Sequence, residues 1–317
     1  MPEGDTVARQ CRALHGALAG AILTTSDLRV PRAATANLVG WSVREVRPRG
    51  KHLLIRMEPP AAGGVPLTLH THLMMDGIWH VDGKALRSSD TSAGPRPADT
   101  IRVVLAARHP DGREARAVAY DVKQVRLVRT ADESTLVGHL GPDLLDPSWE
   151  DEPALRAQAV AHLAAEPERP IGLALLDQRN LAGIGNIYRS ELCFLRRVHP
   201  AAPTHAAGDL GALVDLAHRL LTLNLDRSVR VTTGGMLGRD GDLWVYGRGG
   251  RQCRRCRARI ERGEIGDPRL EGTEPRVLWF CPRCQPGPGA PAGAGGGAPR
   301  GARQRAHPDA RRPGTGR

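Results

Sequence analysis

Four of the six cysteines form two C-x-x-C pairs, Cys253 with Cys256 and Cys281 with Cys284. Pairs of this spacing in an intracellular protein are typical of metal ligands rather than of disulfides. The 24 residues between the pairs slightly exceed the commonest spacing, but they suit one tetrahedral zinc–thiolate site built on two knuckles. A redox site is the alternative. We predict one structural Zn²⁺, whose binding supplies most of the folding free energy of so small a segment.

The chain begins MPEGDT and continues at once into a helical pattern. Pro2 and Glu3 have two interpretations. A proline and acidic residues suit the first turn of a helix, where the dipole favours negative charge. Alternatively, removal of Met1, expected before a small residue, makes Pro2 a terminal secondary amine. An α-amino group titrates at about pH 8, so a useful fraction is an unprotonated nucleophile.

The stretch LAGIGNIYRSEL is a further chemical signal, because Gly183 and Gly185 lie between two helical segments. The backbone N–H groups that open the second helix are free to hold a phosphate. Asn186, at the start of that helix, is by itself more typical of a helix cap.

The elements that must position these residues fall into two groups. An apolar stripe at Val7, Cys11, Leu14 and Leu18 predicts an amphipathic helix over residues 6–20. Eight short β-type runs follow as far as residue 130, and they predict an antiparallel sandwich or barrel with surface loops at 58–66 and 86–99. Helical segments then replace strands, at 132–140, 150–166, 170–178, 186–195 and 209–228.

We therefore predict an α+β chain in four parts. A β-sandwich with a leading helix occupies 1–129, a helical domain 130–243, a metal-stapled β-hairpin 244–285 and a disordered basic tail 286–317. The sequence has no uninterrupted apolar run long enough for a membrane span and no signal-peptide pattern, which favours a cytoplasmic protein.

The charge of the chain indicates an anionic partner. Lys and Arg number 45 against 34 Asp and Glu, a formal net charge of +11. The tail contributes part of this excess, but the remainder is still basic, and ten arginines lie in the cysteine-bearing segment 244–284. Nucleic acid is the first partner that such a charge predicts, and a solvated charged surface is the alternative.

Five motifs occur in a fixed order: MPEGDT, RGKHLL at 49–54, HLMMDG at 72–77, LDQRNLAGIGNIYRSEL at 176–192 and the two C-x-x-C pairs. Together they resemble the formamidopyrimidine-DNA glycosylase / endonuclease VIII family over residues 1 to about 285. The resemblance implies a bifunctional DNA glycosylase and abasic-site lyase of base excision repair, with a catalytic N-terminal domain, a helix-two-turn-helix domain and a zinc-finger hairpin. It also implies a monomer that acts on damaged DNA, duplex or single-stranded, at the nucleoid.

The resemblance assigns catalytic roles to four residues. Pro2 is the Schiff-base nucleophile: its attack on C1′ of the damaged nucleoside gives an iminium cation, which acidifies the C2′ proton and permits β- and then δ-elimination. Glu3 is the general acid that protonates the sugar ring oxygen. Lys51 contacts phosphate and donates a proton, although alone it would be a surface strand residue. Arg276 contacts the phosphates beside the lesion and serves δ-elimination.

Three further residues match DNA-binding positions of the family. Asn186 holds a backbone phosphate and His72 contacts a nearby one. Met75 matches the apolar wedge that fills the gap left when the damaged base is flipped out of the duplex. The alternative for Met74 and Met75 is that both are ordinary core residues.

The sequence departs from the family pattern in three places. Thr6 stands where the family often has an acid, Val125 stands where formamidopyrimidine glycosylases have a stacking Phe, and the segment 233–246 is short for a loop that caps 8-oxoguanine. The start Pro-Glu-Gly is also the endonuclease VIII form. We therefore expect oxidised pyrimidines as substrates. The alternatives are an oxidised-purine glycosylase, a non-catalytic DNA-binding protein of the same fold, and a zinc-dependent transcription regulator.

Overall fold

The computed structural model describes residues 2–86, 96–227, 229–234, 242–267 and 274–287. The tail predicted at 286–317 lies outside the described residues from 288 onward, and so do residues 87–95 of the predicted loop 86–99. The elements in the described ranges are α1 (Gly4–Leu18), β1 (Ile22–Leu28), β2 (Ser42–Arg49), β3 (His52–Glu58), β4 (Leu67–His72), β5 (Ile78–Val81), β6 (Lys84–Ala85), β7 (Ile101–Arg108), β8 (Glu114–Tyr120), β9 (Gln124–Arg129), α2 (Ser134–Val137), α3 (Pro153–Ala164), α4 (Ile171–Ala174), α5 (Asn186–Leu195), α6 (Leu210–Leu223), β10 (Glu261–Ile265) and β11 (Arg276–Phe280).

The leading helix α1 forms where its apolar stripe predicts. Val7, Cys11, Leu14 and Leu18 are all buried in the core of the N-terminal part. The helix packs against β2 and β3 and also against β5 and β8. Since α1 follows Pro2 and Glu3 directly, its docking fixes where the start of the chain lies.

The eight predicted β-runs all form strands of one antiparallel sheet. Its order is β6-β5-β8-β7-β1-β2-β3-β4-β9, and the two-residue β6 is the one strand of this sheet that the sequence did not predict. Irregular register interrupts the β1–β7, β2–β3 and β7–β8 pairings, and such bulges bend a sheet. The sheet curls round α1, because strands from both halves share one core with it. The predicted fold class, an N-terminal β-sandwich with a leading helix, is confirmed, and both faces of the sandwich come from this one curled sheet.

The turn between β2 and β3 carries Lys51. Gly50 has φ +59°, in the left-handed region that favours glycine, and a Cβ there would lie 2.9 Å from the Cβ of Ala182. A glycine thus lets this turn approach the helical part of the chain closely.

The helical part has its own core, formed mainly by α3, α5 and α6. The predicted helix at 132–140 is shorter than expected: α2 spans only Ser134–Val137. Gly138 and Gly141 follow it, and the Gly141 N–H bonds the Gln178 carbonyl oxygen rather than continuing a helix. The segment after α2 is thereby tied to the loop that precedes α5.

The third part is a hairpin of β10 and β11 with the four paired cysteines at its base. Its small core includes Val245, Ile260 and Phe194, the last from α5, so the hairpin packs on the helical part. Among the helices of the described ranges, none combines the length and apolar character needed to cross a membrane.

Candidate active site

The short loop 182–185 brings the distant motifs together. The Gly4 N–H donates to the Gly183 carbonyl oxygen (2.8 Å), and the Lys51 Nζ donates to the Ile184 carbonyl oxygen (2.8 Å). Gly183 has φ +111°, which only glycine adopts readily. The start of the chain, the β2–β3 turn and the start of α5 therefore meet at one loop.

Glu3 is buried, and its carboxylate accepts hydrogen bonds from the first N–H groups of α5. The donors are the backbone nitrogens of Gly185 (2.7 Å), Ile187 (2.7 Å) and Tyr188 (3.3 Å). Glu3 thus caps a helix from the other half of the molecule, at the end where the helix dipole favours negative charge. A Cβ on Gly185 would lie 2.6 Å from the carboxyl carbon of Glu3, so this approach also requires a glycine.

Lys51 is half-buried at the β2–β3 turn, where its ammonium faces Glu3 and Arg276. Removal from water lowers the pKa of Lys51 to about 8; the charge of Glu3 opposes this effect and that of Arg276 adds to it. The turn itself is held by Asp143, whose carboxylate accepts the Gly50 N–H (2.6 Å). Burial raises the pKa of Asp143, and the N–H groups that it binds oppose the rise.

Gln178 stabilises the same loop from the side. Its Nε2 donates to the carbonyl oxygens of Ile184 (3.0 Å) and Leu176 (2.8 Å), and its Oε1 accepts the Gly183 N–H (3.1 Å). Sequence reasoning did not single out Asp143 or Gln178. The signal available for Gln178 was its place inside the quoted LDQRNLAGIGN motif, which also contains its partners. Asp143 gave no such signal, because its partner Gly50 lies far away in the sequence.

Asn186 is the first residue of α5 and is not the residue that caps it. The helix cap is Gly185, and the capping carboxylate comes from Glu3. The interpretation of Asn186 as a helix cap is therefore wrong. Its side-chain oxygen lies 3.4 Å from Nη2 of the fully buried Arg189, which also donates to the Val277 carbonyl oxygen (2.6 Å). Arg189 thus links the start of α5 to β11.

Arg276 begins β11 and is exposed. It lines a cavity of about 230 Å³ between the hairpin and the loop before α5, together with Gln178, Arg179 and Asp267. Lys51 and Arg189 lie close enough for the charge of Arg276 to lower the pKa of each. Arg276 therefore lies near Lys51, one of the other predicted catalytic residues.

His72 and Met75 lie at the end of β4 and in the turn that follows it. Met74 and Met75 are 39% and 55% exposed, so the interpretation of the pair as core residues is wrong. His72 is half-buried beside Lys51, and burial and the Lys51 charge lower its pKa to about 4. An exposed apolar turn thus adjoins the cluster around Lys51.

Thr6, which stands where the resemblance leads us to expect an acid, lies next to a buried ion pair formed by Asp5. The Asp5 carboxylate binds Arg230 through Nε (2.9 Å) and Nη2 (2.7 Å), and it accepts the Tyr188 hydroxyl (3.0 Å). Thr6 is buried and accepts from Arg230 Nη2 (3.0 Å). These contacts tie α1 to α5 and to the segment after α6.

Val125 is buried in the core of the sheet and cannot present a side chain to stack beside a base. The other departure concerned the short segment 233–246, of which residues 235–241 lie outside the described residues.

The four paired cysteines lie within 4.8 Å of one another through their Sγ atoms, and none forms a disulfide. Cys253 and Cys284 have their Sγ atoms 3.9 Å apart, and Cys256 and Cys281 have theirs 3.3 Å apart. Tetrahedral zinc with bonds of about 2.3 Å requires sulfur separations of about 3.8 Å. The donor set and its spacing therefore fit one tetrahedral metal ion, as predicted.

Comparison with known proteins gives two family matches. Residues 1–125 match the model described as the formamidopyrimidine-DNA glycosylase N-terminal domain, and residues 140–236 match the formamidopyrimidine-DNA glycosylase H2TH domain. The chain is 48% identical over 306 residues to the "Probable endonuclease 8 2" of Streptomyces coelicolor, covering 95% of this chain and 100% of that protein. It is 41% identical to the "DNA-(apurinic or apyrimidinic site) lyase Nei2" of Mycolicibacterium smegmatis, covering 90% of this chain and 99% of that protein.

Solved structures share the fold. A Lactococcus lactis formamidopyrimidine-DNA glycosylase in complex with DNA that contains N7-benzyl-Fapy-dG matches with a TM-score of 0.66 and 22% identity, over 90% of this chain and 100% of that one. A complex of the same enzyme with DNA that contains an oxidized pyrimidine matches with a TM-score of 0.67 and 22% identity, over the same shares of the two chains.

Proposed function

This chain belongs to the formamidopyrimidine-DNA glycosylase and endonuclease VIII family, and on that premise we propose that it excises oxidised pyrimidines from DNA with Pro2 as nucleophile. Its activity is that of a DNA glycosylase and abasic-site lyase in base excision repair. We assign the chemistry to residues 1–129, backbone binding to the helical part 130–243 and the hairpin 244–285, and no chemical step to the tail 286–317. The observation that carries the proposal is the meeting of Glu3 and Lys51 at loop 182–185.

Pro2 supplies the nucleophile once Met1 has been removed. Its secondary amine attacks C1′, the base leaves, and the resulting iminium has no N–H to lose. The cation acidifies the C2′ proton, so that elimination breaks the C3′–O bond and then the C5′–O bond. Support comes from the position of Pro2, which is buried directly beside Glu3.

Glu3 is the proton donor for the sugar ring oxygen. Its carboxyl group is fixed by three backbone N–H groups, so the proton leaves from a defined position. The same N–H groups and the positive end of α5 stabilise the carboxylate that remains after the transfer.

Lys51 and Arg276 act on the elimination steps and on the phosphates. A Lys51 pKa of about 8 leaves the amine able to give and take a proton near neutral pH. The planar guanidinium of Arg276 suits two phosphate oxygens at once. We propose Lys51 as proton donor and phosphate contact, and Arg276 as phosphate contact and proton donor for δ-elimination.

We propose that three further residues bind the DNA. Asn186 binds a backbone phosphate at the start of α5, and His72 binds another beside Lys51. Met75 enters the duplex and fills the space of the flipped base, which its exposure on a turn supports. The partner is damaged DNA, either duplex or single-stranded, bound by a monomer in the cytoplasm at the nucleoid.

The preference for pyrimidines is supported by three features. The chain has the start Pro-Glu-Gly, its segment 233–246 is short, and Val125 is a buried core residue rather than a stacking aromatic. Similar proteins of Streptomyces coelicolor and Mycobacterium bovis are named "Probable endonuclease 8 2" and "Endonuclease 8 2", which agrees with this branch.

One structural zinc ion bound by Cys253, Cys256, Cys281 and Cys284 completes the proposal. Bound zinc joins the two knuckles and so holds β10 and β11 together at their base. The Cys281 N–H donates to Oε1 of Gln285 (2.9 Å), whose Nε2 donates to the Val198 carbonyl oxygen (2.9 Å). The metal knuckle is thereby fixed to the helical part, and Arg276 is carried at the far end of the hairpin.

Borohydride trapping tests the nucleophile. Untagged protein, shown by mass spectrometry to begin at Pro2, is incubated with oligonucleotides that contain an abasic site, thymine glycol or 8-oxoguanine. We expect a covalent adduct on the first two substrates and little on the third, and we expect Pro2→Gly to form less of it.

Tagged proteins provide the matched control. An N-terminal tag, which converts the amine into an amide, is expected to abolish the adduct, whereas the same tag at the C-terminus leaves it unchanged. An adduct that persists in the N-terminally blocked protein would falsify the role of Pro2 and would make the Lys51 amine the next candidate nucleophile.

A further inference from the structure

The face of the sheet beside Lys51 carries three histidines from two neighbouring strands. His52 of β3 pairs in register with His72 of β4, and His70 lies two residues earlier on the same face of β4. The His52 Nδ1 lies 2.8 Å from the His70 Nε2, and the rings of His52 and His72 meet edge to face with centroids 4.8 Å apart. His139, from the segment after α2, approaches His52 from outside, at 6.3 Å between centroids. The proposed function uses only His72 of this cluster.

His72 also holds the turn that carries the exposed methionines. Its Nδ1 accepts the backbone N–H of Met74 (3.0 Å), and the turn is closed by a bond from the Gly77 N–H to the Leu73 carbonyl oxygen (2.8 Å). Met74 has φ +53°, a left-handed conformation that is unfavourable for a residue with a Cβ. The bond to His72 therefore stabilises a strained residue immediately before Met75.

The tautomer of His72 follows from this bond. A ring nitrogen that accepts the Met74 N–H carries no hydrogen, so the hydrogen of the neutral ring is on Nε2. Among the described residues none accepts a hydrogen bond from that Nε2. One ring nitrogen is thus used inside the protein and the other remains as a donor.

We propose that His72 is the positioning residue that couples the DNA backbone contact to the wedge: its Nδ1 holds the turn 73–77, and its Nε2–H binds a phosphate oxygen. The inference rests on the proposed function and deepens it, because one imidazole ring then both binds the phosphate and holds the turn that exposes Met75. A duplex that engages Nε2 fixes the ring, and the fixed ring holds the turn in its insertion-ready conformation.

The surroundings of His72 keep its Nδ1 available as an acceptor. The groups that face it are Lys51 at the β2–β3 turn, His52 on β3, His70 on its own strand and Gln124, its register partner on β9. Burial lowers the pKa of His52 to about 3 and that of His70 to about 4, so both rings are neutral near pH 7. Burial and the Lys51 charge likewise disfavour a proton on His72, which would remove the acceptor from the Met74 N–H.

Two substitutions separate the two nitrogens. In His72→Asn, the side-chain oxygen can accept the N–H two residues ahead, as in an Asx turn, but no distal donor remains. In His72→Gln, the longer amide places a donor near the position of Nε2 and lacks the short-range acceptor. His139→Asn, at the exposed edge of the cluster, is the matched control, and thermal melting checks that each variant is folded.

Two measurements are made on a duplex with a tetrahydrofuran abasic analogue, which the enzyme cannot cleave. Fluorescence anisotropy gives the affinity and its salt dependence, and stopped-flow fluorescence of 2-aminopurine next to the lesion gives the rate of wedge insertion. Neither readout requires lesion chemistry. Both are repeated in the Pro2→Gly background, so that failure of the nucleophile assignment is distinguishable from failure of this inference.

We expect His72→Asn to lower the affinity about tenfold while wedge insertion in the bound complex keeps its rate. We expect His72→Gln to keep the affinity and to slow insertion about fivefold. The salt dependence of His72→Asn stays that of the unmodified protein, because a neutral ring displaces no counterion. If both variants change affinity and insertion together, or if neither differs from His139→Asn, the coupling role is rejected.

Discussion

At the scale of single residues, Glu3 combines an observed structural contact with its proposed role as proton donor. Its carboxylate closes the N-terminal end of α5 and lies beside Pro2 and Lys51. The sequence identified Glu3 through the family motif, but its partners at Gly185, Ile187 and Tyr188 could not be predicted, since no local pattern records which helix end a distant carboxylate will cap. Thr6 illustrates the same limit, because its contact with Arg230 and the neighbouring Asp5–Arg230 pair join residues more than 200 positions apart in the sequence.

Gly185→Ala tests whether the backbone N–H groups that bind the Glu3 carboxylate are needed for catalysis. The added Cβ meets the carboxyl carbon at 2.6 Å, so the carboxylate must move away from its N–H donors. We expect single-turnover base excision to slow about 100-fold, as for other displacements of this size at reacting groups. The loss of the cap is expected to destabilise the protein by about 1 kcal/mol. Gly266→Ala, where nothing lies within 4 Å of the added Cβ, is the control, and equal rates for the two variants would contradict the prediction.

At the scale of secondary-structure elements, short β-type runs separated by turn residues were sufficient to predict eight strands. Helical sequence patterns were sufficient to predict α1, α3, α5 and α6. The strand β6 was missed because two residues are too few to show an alternating pattern of apolar and polar side chains. The length of α2 was overestimated because Gly138 and Gly141 end the helix early. The apposition of three histidines on β3 and β4 was also missed. It depends on the register of two strands, which the individual sequences of those strands do not specify.

The histidines of β3 and β4 predict a pH dependence of stability. The folded protein lowers the pKa of His52 to about 3 and the pKa values of His70 and His72 to about 4, whereas the unfolded chain binds protons at about 6.5. Unfolding therefore takes up protons between these values, and stability falls as the pH decreases through that window. The expected slope is up to about 1.4 kcal/mol per pH unit for each imidazole.

Urea unfolding at several pH values from about 7 to about 5 measures this slope, above the range in which ordinary carboxylates titrate. The double variant His52→Gln, His70→Gln is the comparison, and its slope is expected to be shallower. A midpoint that stays constant for the native protein over that range would show that these imidazoles keep their ordinary pKa values.

At the scale of the whole molecule, the sheet and the helical part are joined by polar groups rather than by a shared core. Asp5 binds Arg230 and Tyr188, Asp143 binds Gly50, and Arg49 Nη2 donates to the carbonyl oxygens of Leu140 (3.3 Å) and Gly141 (3.0 Å). The hairpin packs on the helical part through Phe194, and we propose that zinc holds the base of the hairpin together. The core of the sheet, which includes none of these residues, can therefore stay ordered when the hairpin unfolds.

Metal removal tests this independence. A chelator strong enough to remove zinc, or Cys281→Ser, is expected to unfold the hairpin and to lower the affinity for abasic-site DNA at least about tenfold through loss of the Arg276 contact. The melting of the sheet core around Trp79 is expected to change little. Mass spectrometry gives the metal content, and Cys11→Ala, on the buried face of α1, is expected to keep one zinc ion. Undiminished affinity without metal would remove the hairpin from the binding surface.

The cap that Glu3 places on α5 has a consequence for the order of events during synthesis. The groups that hold Glu3 and Gly4 lie at residues 183–188, so they leave the ribosome only after most of the chain has been made. At about 5–20 residues per second, this interval lasts on the order of 10–40 s. During it, the groups at residues 183–188 that hold Glu3 and Gly4 are absent, so the N-terminus is accessible to the aminopeptidase that the proposed role of Pro2 requires. Burial of Glu3 under the start of α5 follows only after α5 has been made and has docked.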